Sequence, residues 1–172
     1  MHLSAPPRPA VPRVLSIAGT DPTGGAGTAA DLKSITAAGG YGMAVVTSLV
    51  AQNTRGVRDV HLPPTAFLIE QLDAVSDDVD LHAVKTGMLA TADIIAAVAT
   101  WLEAHPPAVL VVDPVMVATS GDRLLDADAE AAMRDFCRRA SVITPNTDEL
   151  AVLTQSPPAT TQDEAIAQAR GW

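Results

Sequence analysis

Val14-Leu15-Ser16-Ile17-Ala18 runs straight into Gly19-Thr20-Asp21-Pro22-Thr23-Gly24-Gly25-Ala26-Gly27, and the reading of this junction decides the fold. A short apolar run gives way to glycines and then to a helical pattern holding Leu32 and Ile35, which Gly39-Gly40 brings to a stop. Working outward, the same alternation recurs. Further strand-like runs cover Val45 to Ala51, His82 to Thr86, Val109 to Asp113 and Val142 to Thr144. Several are continuously apolar, as parallel strands covered on both faces require. Between them, Thr91 to Ala104 sets Ile94, Ile95, Val98, Trp101 and Leu102 on one helical face, and Phe67, Leu68, Leu72 and Val75 do the same. Strand and helix alternate without internal repeats. This predicts an α/β fold with a doubly wound, mostly parallel sheet and helices on both faces.

The chain has 172 residues, which suits a single domain over residues 13–172 behind a flexible, proline-rich tail at residues 1–12. Hydrophobic residues make up 48% and aromatic residues only 3%, so the core is built from small aliphatic side chains. Asp and Glu number 20 against 11 Lys and Arg, a net charge of −9 that argues against a nucleic-acid partner. No apolar run reaches the roughly 18 residues of a membrane span, and the start lacks the apolar stretch of a signal peptide. The expected location is cytoplasmic. Cys137 is the single cysteine and sits in a helical pattern, which makes it a core residue, while His2, His61, His82 and His105 lack zinc-site spacing.

Ligands of open α/β sheets bind beyond the carboxyl ends of the strands. Five polar or glycine-rich segments follow the five predicted strands: Gly19 to Gly27, Gln52-Asn53-Thr54, Lys85-Thr86-Gly87-Met88, Asp113-Pro114 and Asn146. Their convergence on one rim points to a site, although each has a bland reading alone. The glycine-rich segment is not a Walker A loop, since Gly24 precedes Gly25-Ala26 rather than Lys and Ser or Thr. Gly25 to Ala30 fits G-x-G-x-x-A, but no acidic residue stands near the ribose position. What remains is an ordinary turn, or a loop whose glycines let the backbone approach a ligand and whose helix N-terminus offers unpaired N–H groups. Asn146-Thr147-Asp148-Glu149 reads as a capping box, and Asp113 as a turn or as a metal-associated carboxylate. Lys85 reads as a surface amine, Asp31 and Lys33 as a solvated helix face, and Gln52 as a strand cap.

Taken in order, these segments, with Ala30-Asp31-Leu32-Lys33, Ser120-Gly121 and Thr144-Pro145-Asn146 to Glu149, resemble the hydroxymethylpyrimidine/phosphomethylpyrimidine kinases of thiamine biosynthesis, within the ribokinase-like superfamily. The resemblance runs from Val14 to about Thr154. It implies ATP-dependent phosphorylation of 4-amino-5-hydroxymethyl-2-methylpyrimidine and then of its monophosphate. It also implies roles by position. Gln52 would read the aminopyrimidine edge, Gly19, Ala26 and Asp31 would wall the ring pocket, and Met88 and Val115 would pack on the ring. Asp113 and Glu149, with Asn146, would organise Mg²⁺ and the ATP phosphates. The expected partners are the small pyrimidine and ATP, and a homodimer is compatible with this class.

Family members also carry, after the Asn-x-x-Glu segment, a Gly-Thr-Gly-Cys motif that holds the transferring phosphoryl group. It is absent here. The sequence therefore reads as the N-terminal portion of a longer kinase, with no catalytic residue of its own, inactive alone, and with apolar surface uncovered near Trp172. A pyridoxal-type kinase of the same superfamily is the alternative enzyme, and a non-catalytic pyrimidine-binding fragment is the alternative of another class.

Overall fold

The computed structural model describes residues 10–116 and 124–172. Residues 1–9 of the expected tail and the Ser120-Gly121 segment lie outside these. In chain order the elements are β1 (Arg13–Ala18), α1 (Gly27–Ala37), β2 (Tyr41–Val46), β3 (Leu49–Asn53), β4 (Gly56–His61), α2 (Thr65–Ser76) and β5 (Ala83–Thr86). There follow α3 (Ala92–Ala104), β6 (Val109–Val112), a short 3₁₀ turn at Ala127–Ala129, α4 (Glu130–Cys137), β7 (Val142–Ile143), α5 (Thr147–Thr154) and α6 (Gln162–Arg170). Five strands form one parallel sheet in the order β2-β1-β5-β6-β7, while β3 and β4 form a separate antiparallel hairpin.

The register explains the two layers. Leu15 pairs with Val84 and Val84 with Leu110, so these three side chains share a sheet face. There they join Leu68 and Leu72 of α2 and Ile94, Ile95, Val98 and Leu102 of α3 in the main core. Ser16 and Lys85 share the opposite face, where the Ser16 hydroxyl donates to the Asp31 carboxylate of α1 at 2.6 Å. Helices thus lie on both sides, as expected. On the α1 side, Val109 and Val142 stay 42% and 50% exposed at the far end of the sheet.

Three expectations need correction. Val45 to Ala51 is not one strand: it joins the end of β2, which starts earlier at Tyr41, to the start of β3, because Thr47 and Ser48 are fully buried polar residues that turn the chain between sheets. Thr47 N–H donates to the Ala18 carbonyl, its hydroxyl to the Met88 carbonyl at 2.6 Å, and the Ser48 carbonyl accepts from Thr20 N–H. Phe67 does not share the buried face of α2 with Leu68 and Leu72 but is 59% exposed. Trp172 is half-buried against the core, with the Arg138 guanidinium 4.8 Å from the centre of its ring, so it is not left uncovered. Cys137 is buried as expected, and burial, helped by the Glu149 charge, pushes its thiol up to about 12. Among the described residues no helix is long and apolar enough to cross a membrane.

Candidate active site

The glycine-rich loop closes on itself. Gly19 carbonyl accepts from Thr28 N–H at 3.0 Å, which ties the end of β1 to the first turn of α1. Asp21 sits inside the loop, 5% exposed, and its carboxylate accepts from the N–H groups of Thr23, Gly25 and Ala26 at 2.9, 3.0 and 2.8 Å. Burial alone would raise its pKa. The Thr23 N–H, the Gln52 side chain, the Thr23 hydroxyl and the Ala26 N–H outweigh burial and bring it down to about 2. The loop N–H groups of Thr23, Gly25 and Ala26 are therefore taken by a carboxylate, whereas no side chain caps the start of α1. With those three N–H groups satisfied internally, this part of the loop serves as a wall.

The hairpin folds over that wall. Val50, Met88 and Ala90 form a second small core, with Val57, Val60, Val115 and Leu124 packed against it. Val50 N–H donates to the Thr20 hydroxyl at 3.0 Å, so the hairpin is also pinned to the loop. The result is a cavity of about 320 Å³ whose lining includes Gly19, Ala26, Asp31, Gln52, Lys85, Met88, Asp113 and Val115. A second cavity of about 580 Å³ shares Ala26, Gln52, Asp113 and Val115 with the first and extends to Arg55, Thr144, Asn146 and Glu149. Every site residue expected from the sequence thus lines one or both cavities.

At their junction the Lys85 ammonium lies 3.1 Å from the Asp31 carboxylate and 3.6 Å from that of Asp113. This part-buried triad replaces the surface-amine reading of Lys85. Burial raises the Asp113 pKa; Lys85 opposes this, Asp31 adds to it, and the Thr144 side chain offsets it by hydrogen bonding. Asn146 and Glu149 form the capping box of α5: the Asn146 side chain accepts from Glu149 N–H, and Glu149 Oε2 from Asn146 N–H, both at 2.9 Å. Glu149 Oε1 accepts from Met116 N–H at 3.2 Å. Burial raises the Glu149 pKa, those two backbone donors oppose the rise, and the Asp113 and Asp148 charges add to it. Structural and ligand-binding readings of this box are compatible, since each carboxylate oxygen keeps lone-pair capacity after one backbone bond.

Sequence reasoning missed Asp21, Arg55 and Thr144. Asp21 was discoverable, because Asp-x-Thr-Gly is an Asx-turn pattern in which the side chain captures N–H groups two residues on. Arg55 carried no local signal. Among the described residues no three His, Cys, Asp or Glu side chains cluster as a metal cage. The donor set of Asp113 and Glu149 suits a hard cation that keeps most of its waters and takes further oxygens from phosphates.

The family profile described as phosphomethylpyrimidine kinase matches residues 21–171. The thiamine biosynthesis multifunctional protein ThiED of Corynebacterium glutamicum is 63% identical over 164 residues, covering 95% of this chain and 22% of the relative. The hydroxymethylpyrimidine/phosphomethylpyrimidine kinase of Escherichia coli is 48% identical over 157 residues, covering 91% of this chain and 59% of the relative. Among solved structures, phosphomethylpyrimidine kinase from Clostridium difficile superposes with a TM-score of 0.85 at 37% identity, covering 93% of this chain and 69% of that one. Pyridoxal kinase from Staphylococcus aureus in complex with pyridoxal gives 0.83 at 33% identity, covering 94% and 59%. The chain thus spans well under two thirds of the curated relatives' length.

Proposed function

Because the chain belongs to the phosphomethylpyrimidine kinase family, we propose that it binds 4-amino-5-hydroxymethyl-2-methylpyrimidine and its monophosphate for ATP-dependent phosphorylation in thiamine biosynthesis. One observation carries this reading: a ring-sized compartment with an amide and a carboxylate, Gln52 and Asp31, opens directly into an acidic compartment holding Asp113 and Glu149. In the proposed reaction the hydroxymethyl oxygen forms a bond to the γ-phosphorus, the bond from that phosphorus to the bridging oxygen of ADP breaks, and the hydroxyl proton passes to solvent water. Gln52 presents both a donor and an acceptor to the aminopyrimidine edge. Met88 and Val115 supply apolar contact, and Gly19, Ala26 and Asp31 shape the wall. Asp113 and Glu149 would hold Mg²⁺ through its waters, with Asn146 beside the nucleotide phosphates. The bound ion would neutralise charge on the phosphates. A cytoplasmic location and a homodimer belong to the same proposal, the latter checked by sedimentation equilibrium.

Calorimetric titration of the chain with the pyrimidine alcohol and with pyridoxal tests the substrate. Tighter binding of the pyrimidine is expected; tighter binding of pyridoxal would favour the second reading, which the likeness to the pyridoxal-bound S. aureus kinase supports. Ring binding without turnover in a chain extended through a Gly-Thr-Gly-Cys motif would favour a non-catalytic role. Gln52→Ala is expected to weaken pyrimidine binding by about 1–3 kcal/mol, because polar atoms of the ring lose their partner. Comparable losses for the pyrimidine and for Mg²⁺-nucleotide would instead indicate general damage.

Asp113→Asn keeps the shape and removes the charge. It should weaken the Mg²⁺-dependent part of nucleotide binding about tenfold and affect the pyrimidine alcohol less. Titrations of a non-hydrolysable nucleotide with and without Mg²⁺ measure this difference. Unchanged magnesium dependence would return Asp113 to a turn residue.

A further inference from the structure

Arg55 stands in the two-residue turn between β3 and β4, at the tip of the hairpin, where the Asn53 side chain accepts from its backbone N–H at 2.8 Å. That bond engages the backbone of Arg55, whose side chain belongs to an exposed residue. The larger cavity beneath it is lined by three carboxylates, those of Asp21, Asp113 and Glu149. Among the described residues lining that cavity, Arg55 alone is cationic, and it makes no ion pair with any described residue. Lys85, at the junction, is already engaged by Asp31 and Asp113.

The electrostatics separate two candidate ligands. A neutral pyrimidine alcohol enters such a cavity without charge repulsion. A pyrimidine monophosphate brings close to two negative charges and three acceptor oxygens among the carboxylates, and needs a cation that is not already paired. We propose that Arg55 receives the phosphate of the phosphorylated pyrimidine and thereby sets the preference for the monophosphate over the alcohol. This rests on the pyrimidine reading above. A guanidinium suits the task, because its planar fork meets two phosphate oxygens at once and stays charged at every working pH. Its place on the hairpin tip puts it on the lining of the same cavity as Asp113.

The test is calorimetric titration of the unaltered chain, Arg55→Ala and Arg55→Lys with three ligands: the pyrimidine alcohol, its monophosphate, and a non-hydrolysable ATP analogue with Mg²⁺. Arg55→Ala should bind the monophosphate about tenfold more weakly while the alcohol and the nucleotide change by less than about twofold. Arg55→Lys should fall between, and added salt should weaken monophosphate binding more in the unaltered chain than in Arg55→Ala. Equal losses for alcohol and monophosphate would overturn the proposal in favour of a shaping role for the hairpin. A loss confined to the nucleotide would assign the guanidinium to the other phosphate source, and unchanged affinities would remove it from the site. If the unaltered chain binds the alcohol but Arg55→Ala has no selective effect, only Arg55 is misassigned. Binding of neither pyrimidine would overturn the pyrimidine reading itself.

Discussion

Asp21→Ala is expected to lower the unfolding free energy by about 3–4 kcal/mol, less than three separate hydrogen bonds to a charged acceptor at roughly 1.5–3 kcal/mol each, because the three donors share one carboxylate and water can enter the space it leaves. Thr23, Gly25 and Ala26 would keep their N–H groups and lose the acceptor. For a chain of this size the melting temperature should fall by roughly 10 °C. Asp21→Asn retains one oxygen but turns an amine toward backbone donors, so it should fall between. The pH dependence has a definite sign. The folded pKa of Asp21 is about 2 against an ordinary 3.8, so its contribution is complete above 3.8 and is lost as pH falls through that window. Thermal melts across the acid range should therefore show a shallower acid loss in Asp21→Ala than in the unaltered chain. A variant that melts within about 2 °C of the parent at neutral pH would show that the loop is held elsewhere.

Gly27→Ala should be as damaging, for a steric reason. Gly27 has φ +55°, and a β-carbon there would lie 2.3 Å from the Gly19 carbonyl oxygen. That oxygen is already bonded to Thr28 N–H, so it has nowhere to retreat without breaking the closure of the loop. Two glycines serve as controls. Gly39 also has a positive φ, +83°, but open space around it, so Gly39→Ala isolates the left-handed backbone cost of about 1–2 kcal/mol. A β-carbon at Gly25 would sit 3.6 Å from the Asp21 carboxylate, an ordinary contact, and Gly25→Ala should be nearly silent. Denaturant unfolding of the three variants should rank Gly27 well above Gly39, and Gly39 above Gly25. Equal effects at Gly27 and Gly39 would reduce the closure argument to backbone strain alone. Loss of pyrimidine binding should accompany Gly27→Ala only.

The sheet and its helices were legible because their signals are local. β6 is a short apolar run, β1 is mostly apolar, β5 alternates in burial, and α3 shows its buried stripe at helical spacing. The hairpin was harder to read. β4, Gly56-Val57-Arg58-Asp59-Val60-His61, is a half-exposed polar strand, and the break before β3 depends on Thr47, whose hydroxyl and N–H bond the Met88 and Ala18 carbonyls, both distant in sequence. Phe67 faces solvent although its spacing matches Leu68 and Leu72, because hydrophobic spacing does not say where the covered face ends. The placing of Asp113 and Asn146 at one rim followed from the strand-end rule, whereas Lys85 lies within β5 and Gln52 within β3 of the separate hairpin, which that rule does not place. Whether Lys85 meets solvent or Asp31, and whether Asp113 lies beside it, is fixed by register between parallel strands, which no single segment encodes.

The strand order sets a timetable for folding. β1 lies between β2 and β5, and its start is fastened to the approach of β5 by a bond from Arg13 N–H to the His82 ring, 69 residues away in sequence. The β3–β4 hairpin closes through a two-residue turn and needs no distant partner to pair its backbone. Local pairing is fast, whereas ladders between remote strands wait for long loops to close. The hairpin is therefore expected to pair before the floor beneath it exists. Lys85 reaches Asp31 only when β5 docks on β1, and Asp113 follows with β6. Ligand-binding competence is thus a late event in the emergence of this chain, and a probe of ring binding during refolding should lag behind a probe of hairpin structure.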